Sequence, residues 1–246
     1  KAKEIGMINT SFVNPNGLPI YDLQNPKALP KENISTARDI AKLGKYMFDN
    51  YEKEVVAITD MQTYSYPERN FQKNNTNALL GIIPAVDGIK TGYTGNAGYC
   101  LAFSMVVDKD KDNEIRHRMI GVVLGANHKE KRTSASLSIL RYGKENFSTK
   151  RVMEKDQLIG KKYIKGLEEL EVTLKSEDEL YATLKNTENL KSQITLKELK
   201  YPVKKGDTIG VIKYFTETGQ VIGSVDIISA NDVDNISFIT KIKMIF

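Results

Sequence analysis

The middle of the chain holds three strand-like runs with hardly any sequence between them. Residues 89–93 form the first, 99–107 the second and 116–124 the third. Gly95-Asn96-Ala97-Gly98 turns the first run into the second, and the charged turn Asp108-Lys109-Asp110-Lys111-Asp112-Asn113 joins the second to the third. Turns this short predict antiparallel strands. A helix is predicted on either side of them. Before the strands, Thr36-Ala37-Arg38-Asp39 has the spacing of a capping box, and Ile40, Leu43 and Met47 recur on one face. After them, Leu137, Leu140 and Phe147 mark an amphipathic helix over residues 129–147. Together these elements describe part of an α/β (α+β) domain, an antiparallel sheet with helices. Residues 10–19 are dense in Asn, Pro and Gly and read as a loop; residues 59–80 read as a polar, irregular surface excursion.

Beyond Thr149 the texture changes. Short alternating segments at 171–174, 194–196, 208–211 and 221–225 are separated by turns such as Lys204-Lys205-Gly206-Asp207 and Thr218-Gly219-Gln220. Several short strands at such spacing predict a small all-β sandwich or barrel. Two domains are therefore expected, residues 1–148 and 149–246. Lys241-Ile242-Lys243-Met244-Ile245-Phe246 mixes apolar and basic residues and reads either as a last strand or as the start of an interfacial helix.

Composition narrows the function classes. A length of 246 residues, 40% hydrophobic and 27% charged, is ample for a sizeable core. The longest apolar runs are far too short to span a bilayer. The net charge of +5 is modest, and no arginine-rich tract with interleaved aromatics argues for nucleic acid. A lone Cys100 excludes an intrachain disulfide and, with only His117 and His128, leaves no zinc cluster. Cys100 is expected to be a buried, inert thiol. The chain opens at Lys1 rather than Met, so a mature segment or fragment is expected.

The chemistry concentrates in Val86-Asp87-Gly88-Ile89-Lys90-Thr91-Gly92-Tyr93. A lysine, a hydroxyl and a glycine in succession on a strand make an edge suited to an anionic, peptide-like ligand. Lys90 otherwise reads as a solvated strand lysine and Thr91 as a β-former. Gly92 either permits close approach of a ligand backbone or marks a bulge or bend. Asp87 and Gly88 are expected to set the turn into the strand. Arg132 offers a guanidinium fork for a carboxylate, with Lys129 and Lys131 as local competitors and a solvated first-turn arginine as the alternative. His117 and His128 read as polar surface.

Several of these motifs stand in one recognisable order. Lys90-Thr91-Gly92 is the third signature of the penicillin-recognising serine enzymes. With Thr10-Ser11-Phe12-Val13-Asn14-Pro15-Asn16-Gly17-Leu18, Ser35-Thr36-Ala37-Arg38-Asp39-Ile40-Ala41 and the stretch from Val86 to Tyr99, the sequence resembles the low-molecular-mass penicillin-binding proteins that act as serine-type D-alanyl-D-alanine carboxypeptidases. The resemblance covers essentially the whole chain, since the family carries a membrane-proximal β-domain where residues 149–246 stand. It implies that Lys90 stabilises an anionic transition state, that the Thr91 hydroxyl donates to the terminal carboxylate, and that Gly92 admits the substrate backbone. It further implies that the Tyr93 backbone N–H forms half of an oxyanion hole and that Arg132 recognises the carboxylate. The family's nucleophile motif, Ser-x-x-Lys, occurs nowhere in the 246 residues. It and the Ser-x-Asn motif are expected upstream of Lys1; Ser229-Ala230-Asn231 matches the latter by coincidence.

The implied function is removal of the terminal D-alanine from peptidoglycan stem peptides through an acyl-enzyme, with β-lactams acylating the same serine. No metal or organic cofactor is implied. The implied location is the outer face of the cytoplasmic membrane, with an amphipathic anchor expected beyond Phe246. The alternatives are a non-catalytic envelope binding protein of the same fold and a class A-like serine β-lactamase. The latter's Glu-x-x-Leu-Asn loop is absent.

Overall fold

In the computed structural model, residues 1–164, 167–199 and 202–234 are described. The chain divides into two compact units. The first comprises Lys1–Asp108 and Arg116–Glu145; Lys109–Ile115 groups with the residues from Asn146 onward in the second. Among the described residues no helix is long and apolar enough to cross a membrane.

The first unit begins with loop structure and then helix α1 (Ala37–Thr59). Thr36 is its N-cap, its hydroxyl accepting the Asp39 N–H at 3.2 Å. The return arm of the expected capping box is absent. The Asp39 carboxylate, 1% exposed, instead accepts the Asn9 N–H at 2.8 Å and the Thr10 hydroxyl at 2.9 Å. Burial pushes this carboxyl up, but those two hydrogen bonds and the nearby Lys42 ammonium outweigh it and hold its pKa below the usual carboxylate value. The helix start is thereby tied to the loop that follows Asn9. Gly44 and Phe48 are the buried positions further along α1. A Cβ on Gly44 would lie 3.2 Å from Ile120 and 3.3 Å from Ile89, so helix and sheet pass close here.

The excursion over residues 59–80 is more ordered than its sequence suggests. Strands β1 (Thr63–Tyr66) and β2 (Phe71–Asn74) form a hairpin around a 3-10 turn at Pro67–Arg69, and a second 3-10 turn follows at Ala78–Gly81. Every residue of both strands is exposed. With no buried face, the hairpin shows no apolar alternation to read. Leu79 and Leu80 return the chain to the core.

Strands β3 (Val86–Thr94), β4 (Gly98–Val107) and β5 (His117–Ala126) make the expected antiparallel sheet, in the order β3-β4-β5. Asp87 and Gly88 do not set a turn; they lie buried inside β3. Asp87 accepts Arg118 Nη1 on both oxygens at 2.7 and 2.6 Å and also the Ser104 hydroxyl. Alternate residues of β5 serve opposite faces. Arg118 stacks on Phe48 of α1 at 3.9 Å, whereas Gly121 lies against the Phe103 ring on the other side. Helix α2 (Lys129–Asn146) adds Leu140 to a core of Leu79, Leu80, Val86, Leu101, Phe103 and Met105. Each such side chain contributes on the order of 2 kcal/mol through burial.

The second unit is all β. Its strands are β6 (Phe147–Met153), β7 (Leu158–Ile164), β8 (Leu167–Ser176), β9 (Leu180–Lys185), β10 (Leu190–Leu196), β11 (Thr208–Thr216) and β12 (Val221–Ser229). Five of them pair in the order β10-β11-β12-β8-β7, and β6 pairs with β9. Met153, Val172, Leu174, Ile212, Val225 and Ile227 fill the core. Strands β6, β7 and β9 escape the sequence reading because lysines, threonines and tyrosines interrupt their apolar alternation. The charged run after β4 does more than turn. Asn113 accepts the Thr149 N–H at 3.0 Å and the Glu114 N–H reaches the Thr149 carbonyl at 2.8 Å, pinning that run to β6. Asn231 is a backbone staple, accepting the Thr173 N–H at 2.8 Å and donating to the Glu171 carbonyl at 3.0 Å. The segment from Lys241 to Phe246 lies outside the described residues.

Candidate active site

Among the described residues β3 is the edge of its sheet, so half of its backbone groups face no neighbouring strand. Along its second half runs an open groove of about 950 Å³, with Lys90, Thr91, Gly92 and Tyr93 on one wall. The opposite wall is the loop from Phe12 to Leu18, together with Asn33. Two asparagines brace that loop. Asn33 Oδ1 accepts the Val13 and Asn14 N–H groups at 2.7 and 3.2 Å, and Asn14 bonds to Leu18 and Gly17 at 2.7 and 2.9 Å. Short polar side chains that bind their own backbone hold such a turn without a hydrophobic core.

The four β3 residues differ in what they present. Lys90 is exposed and donates from Nζ to the Thr91 carbonyl at 2.7 Å. The Thr91 hydroxyl lies 2.5 Å from that of Thr76. Gly92 pairs with Cys100 in an unbroken stretch of register, which removes the bulge reading. Among the described residues, its two chain neighbours apart, no atom lies within 4 Å of where its Cβ would stand, so packing does not demand a glycine; the empty volume belongs to the groove. The Tyr93 side chain is 59% exposed, its ring 4.4 Å from that of Tyr99.

Arg132 is 5% exposed, not a solvated first-turn residue, while Lys129 and Lys131 remain on the surface. It does not line the groove. Its Nη2 donates to the Thr76 carbonyl at 3.2 Å, and among the described residues its buried Nε has no partner. Thr76 thus stands between the guanidinium and Thr91, and sequence reasoning missed it. The signal was Asn75-Thr76-Asn77 inside the supposed surface excursion. Asn77 donates to the Gly88 carbonyl at 2.9 Å and Asn75 to that of Met61 at 3.0 Å, fixing Thr76 beside β3. Among the described residues neither Lys90 nor Arg132 is in an ion pair, so two cations stand uncompensated near one edge strand.

The remaining candidates fall away from this pair. His128 is exposed, its carbonyl accepting the Arg132 N–H at 3.0 Å. Cys100 is half-buried on the groove wall rather than buried; its residue alternates with the core-facing Leu101. Among the described residues no group of three or more His, Cys, Asp or Glu side chains could hold a metal ion.

A family model described as D-alanyl-D-alanine carboxypeptidase matches residues 1–128, more than half of the chain, including the whole of β3. The chain belongs to that family. A second model, penicillin-binding protein 5 C-terminal domain, matches residues 147–235 of this family member. Among curated proteins it is 29% identical to the D-alanyl-D-alanine carboxypeptidase DacF of Bacillus subtilis, over 99% of the chain and 59% of DacF. It is 29% identical to DacC of Escherichia coli, over 98% of the chain and 56% of DacC. Among solved structures, penicillin-binding protein 5 from Haemophilus influenzae superposes with a TM-score of 0.65 at 28% identity, covering 95% of the chain and 64% of that protein. The carboxypeptidase DacD from Francisella tularensis gives 0.58 at 25% identity, over 96% and 66%. The chain therefore spans between 56% and 66% of the length of these relatives.

Proposed function

We propose that the protein carrying this chain is a serine-type D-Ala-D-Ala carboxypeptidase that trims peptidoglycan stem peptides, and a target of β-lactams. In this reading residues 1–148 belong to the catalytic domain and residues 149–246 form an all-β C-terminal domain. A peptidoglycan substrate sets the location, at the outer face of the cytoplasmic membrane. The observation that carries the reading is the open edge of β3. Lys90, Thr91, Gly92 and Tyr93 face one groove there, and the uncompensated Arg132 stands behind Thr76.

The chemistry follows from that edge. A peptide laid along β3 bonds its backbone to the unpaired strand, over the open space at Gly92. Its terminal carboxylate meets the Thr91 hydroxyl and the positive field of Lys90 and Arg132. A serine oxygen, from a Ser-x-x-Lys motif that these 246 residues do not contain, attacks the carbonyl of the terminal amide. The Tyr93 N–H and the Lys90 ammonium stabilise the resulting oxyanion. The C–N bond then breaks, D-alanine leaves with the proton given up by the serine hydroxyl on its nitrogen, and water hydrolyses the ester and restores that hydroxyl.

Labelling of the full-length polypeptide by a fluorescent penicillin tests this. Lys90→Ala is expected to slow labelling about 100-fold, the scale of losing one oxyanion-stabilising group. Labelling at the unmodified rate would overturn the assignment of Lys90. A polypeptide limited to residues 1–246 is expected to take no label, and covalent label on it would overturn the Ser-x-x-Lys nucleophile.

A further inference from the structure

The groove wall opposite β3 is a loop, and its place depends on what grips its two ends. Ser11 and Ile34 exchange both backbone hydrogen bonds, at 2.8 and 2.9 Å, and so pair the two arms of the loop into a stem. Beneath that stem lies Asp39, in the first turn of α1 and 1% exposed. Its Oδ2 accepts the Asn9 N–H at 2.8 Å and the Thr10 hydroxyl at 2.9 Å. The Thr10 oxygen in turn lies 2.8 Å from the Ser35 hydroxyl, on the other arm. One buried carboxylate oxygen therefore holds both arms. Lys42, 3.5 Å from Oδ1, donates to the Gly6 carbonyl just before the stem. Leu43, one turn further along α1, lines the groove itself.

A second tie is exposed. Asn96 Nδ2 at the β3–β4 turn donates to both oxygens of Glu32, each at 3.2 Å. Water replaces an exposed contact of this kind, so it stabilises little. Withdrawing a buried acceptor strands its donors away from water, which costs far more. The buried tie therefore decides where the wall stands. We propose that Asp39 is a positioning residue that fixes the loop from Phe12 to Leu18 at the separation from β3 that a substrate peptide needs. The proposal rests on the carboxypeptidase reading above and assigns the setting of the wall that β3 faces. Asp39 acts through the loop rather than on the reacting atoms, and the loop meets the bound peptide before and during attack alike. Its loss weakens binding uniformly, which raises KM and leaves kcat in place.

The full-length protein and a soluble D-Ala-D-Ala peptide supply the test. Asp39→Ala is expected to raise KM about tenfold with kcat within about twofold of the unmodified value, the scale of two lost hydrogen bonds. Thr10→Val removes one of the two donors and keeps the test if Asp39→Ala does not fold. It is expected to raise KM about threefold, with recovery in Thr10→Ser. Asp39→Asn can set its one carbonyl oxygen where Oδ2 stands, and KM is expected to stay near that of the unmodified protein. Asn96→Ala is expected to move KM by less than about twofold. KM does not depend on the folded fraction of a preparation, so partial misfolding cannot imitate this pattern. Hydrogen exchange reads the loop without turnover: the Val13 and Asn14 amides are expected to exchange about tenfold faster in Asp39→Ala, with those of β4 unaltered. A lower melting temperature with KM and loop exchange unmoved overturns the proposal, and so does a rise in KM as large in Asn96→Ala. Failure of the unmodified protein to cleave the peptide overturns the carboxypeptidase reading, and exchange at Val13 and Asn14 then decides the role of Asp39 by itself.

Discussion

Arg118 and Arg132 stand in the same unit, one on β5 and one on α2, and use the same guanidinium in opposite ways. Arg118 is saturated. It donates from Nη1 to both oxygens of Asp87 and from Nη2 to Glu52 at 2.7 Å, and lies over the Phe48 ring. Arg132 is more deeply buried, yet it has one carbonyl contact and an orphaned Nε. A buried donor without a partner costs about 1–3 kcal/mol, so a fold optimised for stability alone would not keep it. The paired arginine holds the sheet to the helix; the other keeps an unsatisfied donor beside the strand that bears Lys90.

The sharpest way to break this comparison is to truncate each arginine in turn. Arg132→Ala is expected to lower kcat/KM on a D-Ala-D-Ala peptide by about tenfold, the scale of a lost charge acting on the carboxylate from behind Thr76 and not by contact, with the melting temperature hardly moved. Arg118→Ala leaves Asp87 without its cation. It is expected to cost about 3 kcal/mol of stability and several degrees of melting temperature, with kcat/KM of the folded protein little changed. If Arg132→Ala melts early, or Arg118→Ala abolishes turnover while folded, the division of roles is wrong.

A smaller effect tests the link between the two cations. Thr76→Val removes the hydroxyl beside Thr91 but keeps the carbonyl that receives Arg132. A rise in KM of about fivefold is expected, the scale of one net hydrogen bond, with recovery in Thr76→Ser. An unaltered KM would show that Thr91 needs no help from Thr76.

The smallest effect concerns Asp39, the paired carboxylate in the first turn of α1. Its native pKa lies below the usual value, so the ionised form favours the folded chain. That contribution is complete above the unfolded carboxylate range, near about 4, and is lost as pH falls through the native value. Asp39→Asn is expected to flatten the acid limb of melting temperature against pH. An acid limb identical to that of the unmodified protein would refute the linkage.

Much of this was open to sequence reading. The three strands were legible because β4 alternates apolar residues between tight turns, and α1 because Thr36 and Asp39 stand at cap spacing. The strand bearing Lys90, Thr91, Gly92 and Tyr93 was legible for the same local reason. Strands β6, β7 and β9 were not, since their stability comes from pairing and a shared core rather than from their own periodicity. Nor was the hairpin β1–β2, whose exposed faces carry no pattern.

What the sequence determined by itself was local: element type, the order of motifs and the residue types able to grip a carboxylate. Only the tertiary structure decided which charges were already satisfied. It buried Asp87 against Arg118, carried Asn75-Thr76-Asn77 back to β3 so that Thr76 faces Thr91, and left Arg132, among the described residues, without an ionic partner. Spacing along a chain fixes a side chain's neighbours within a turn or a strand. Whether a charge is neutralised depends on partners tens of residues away, and folding alone brings those together.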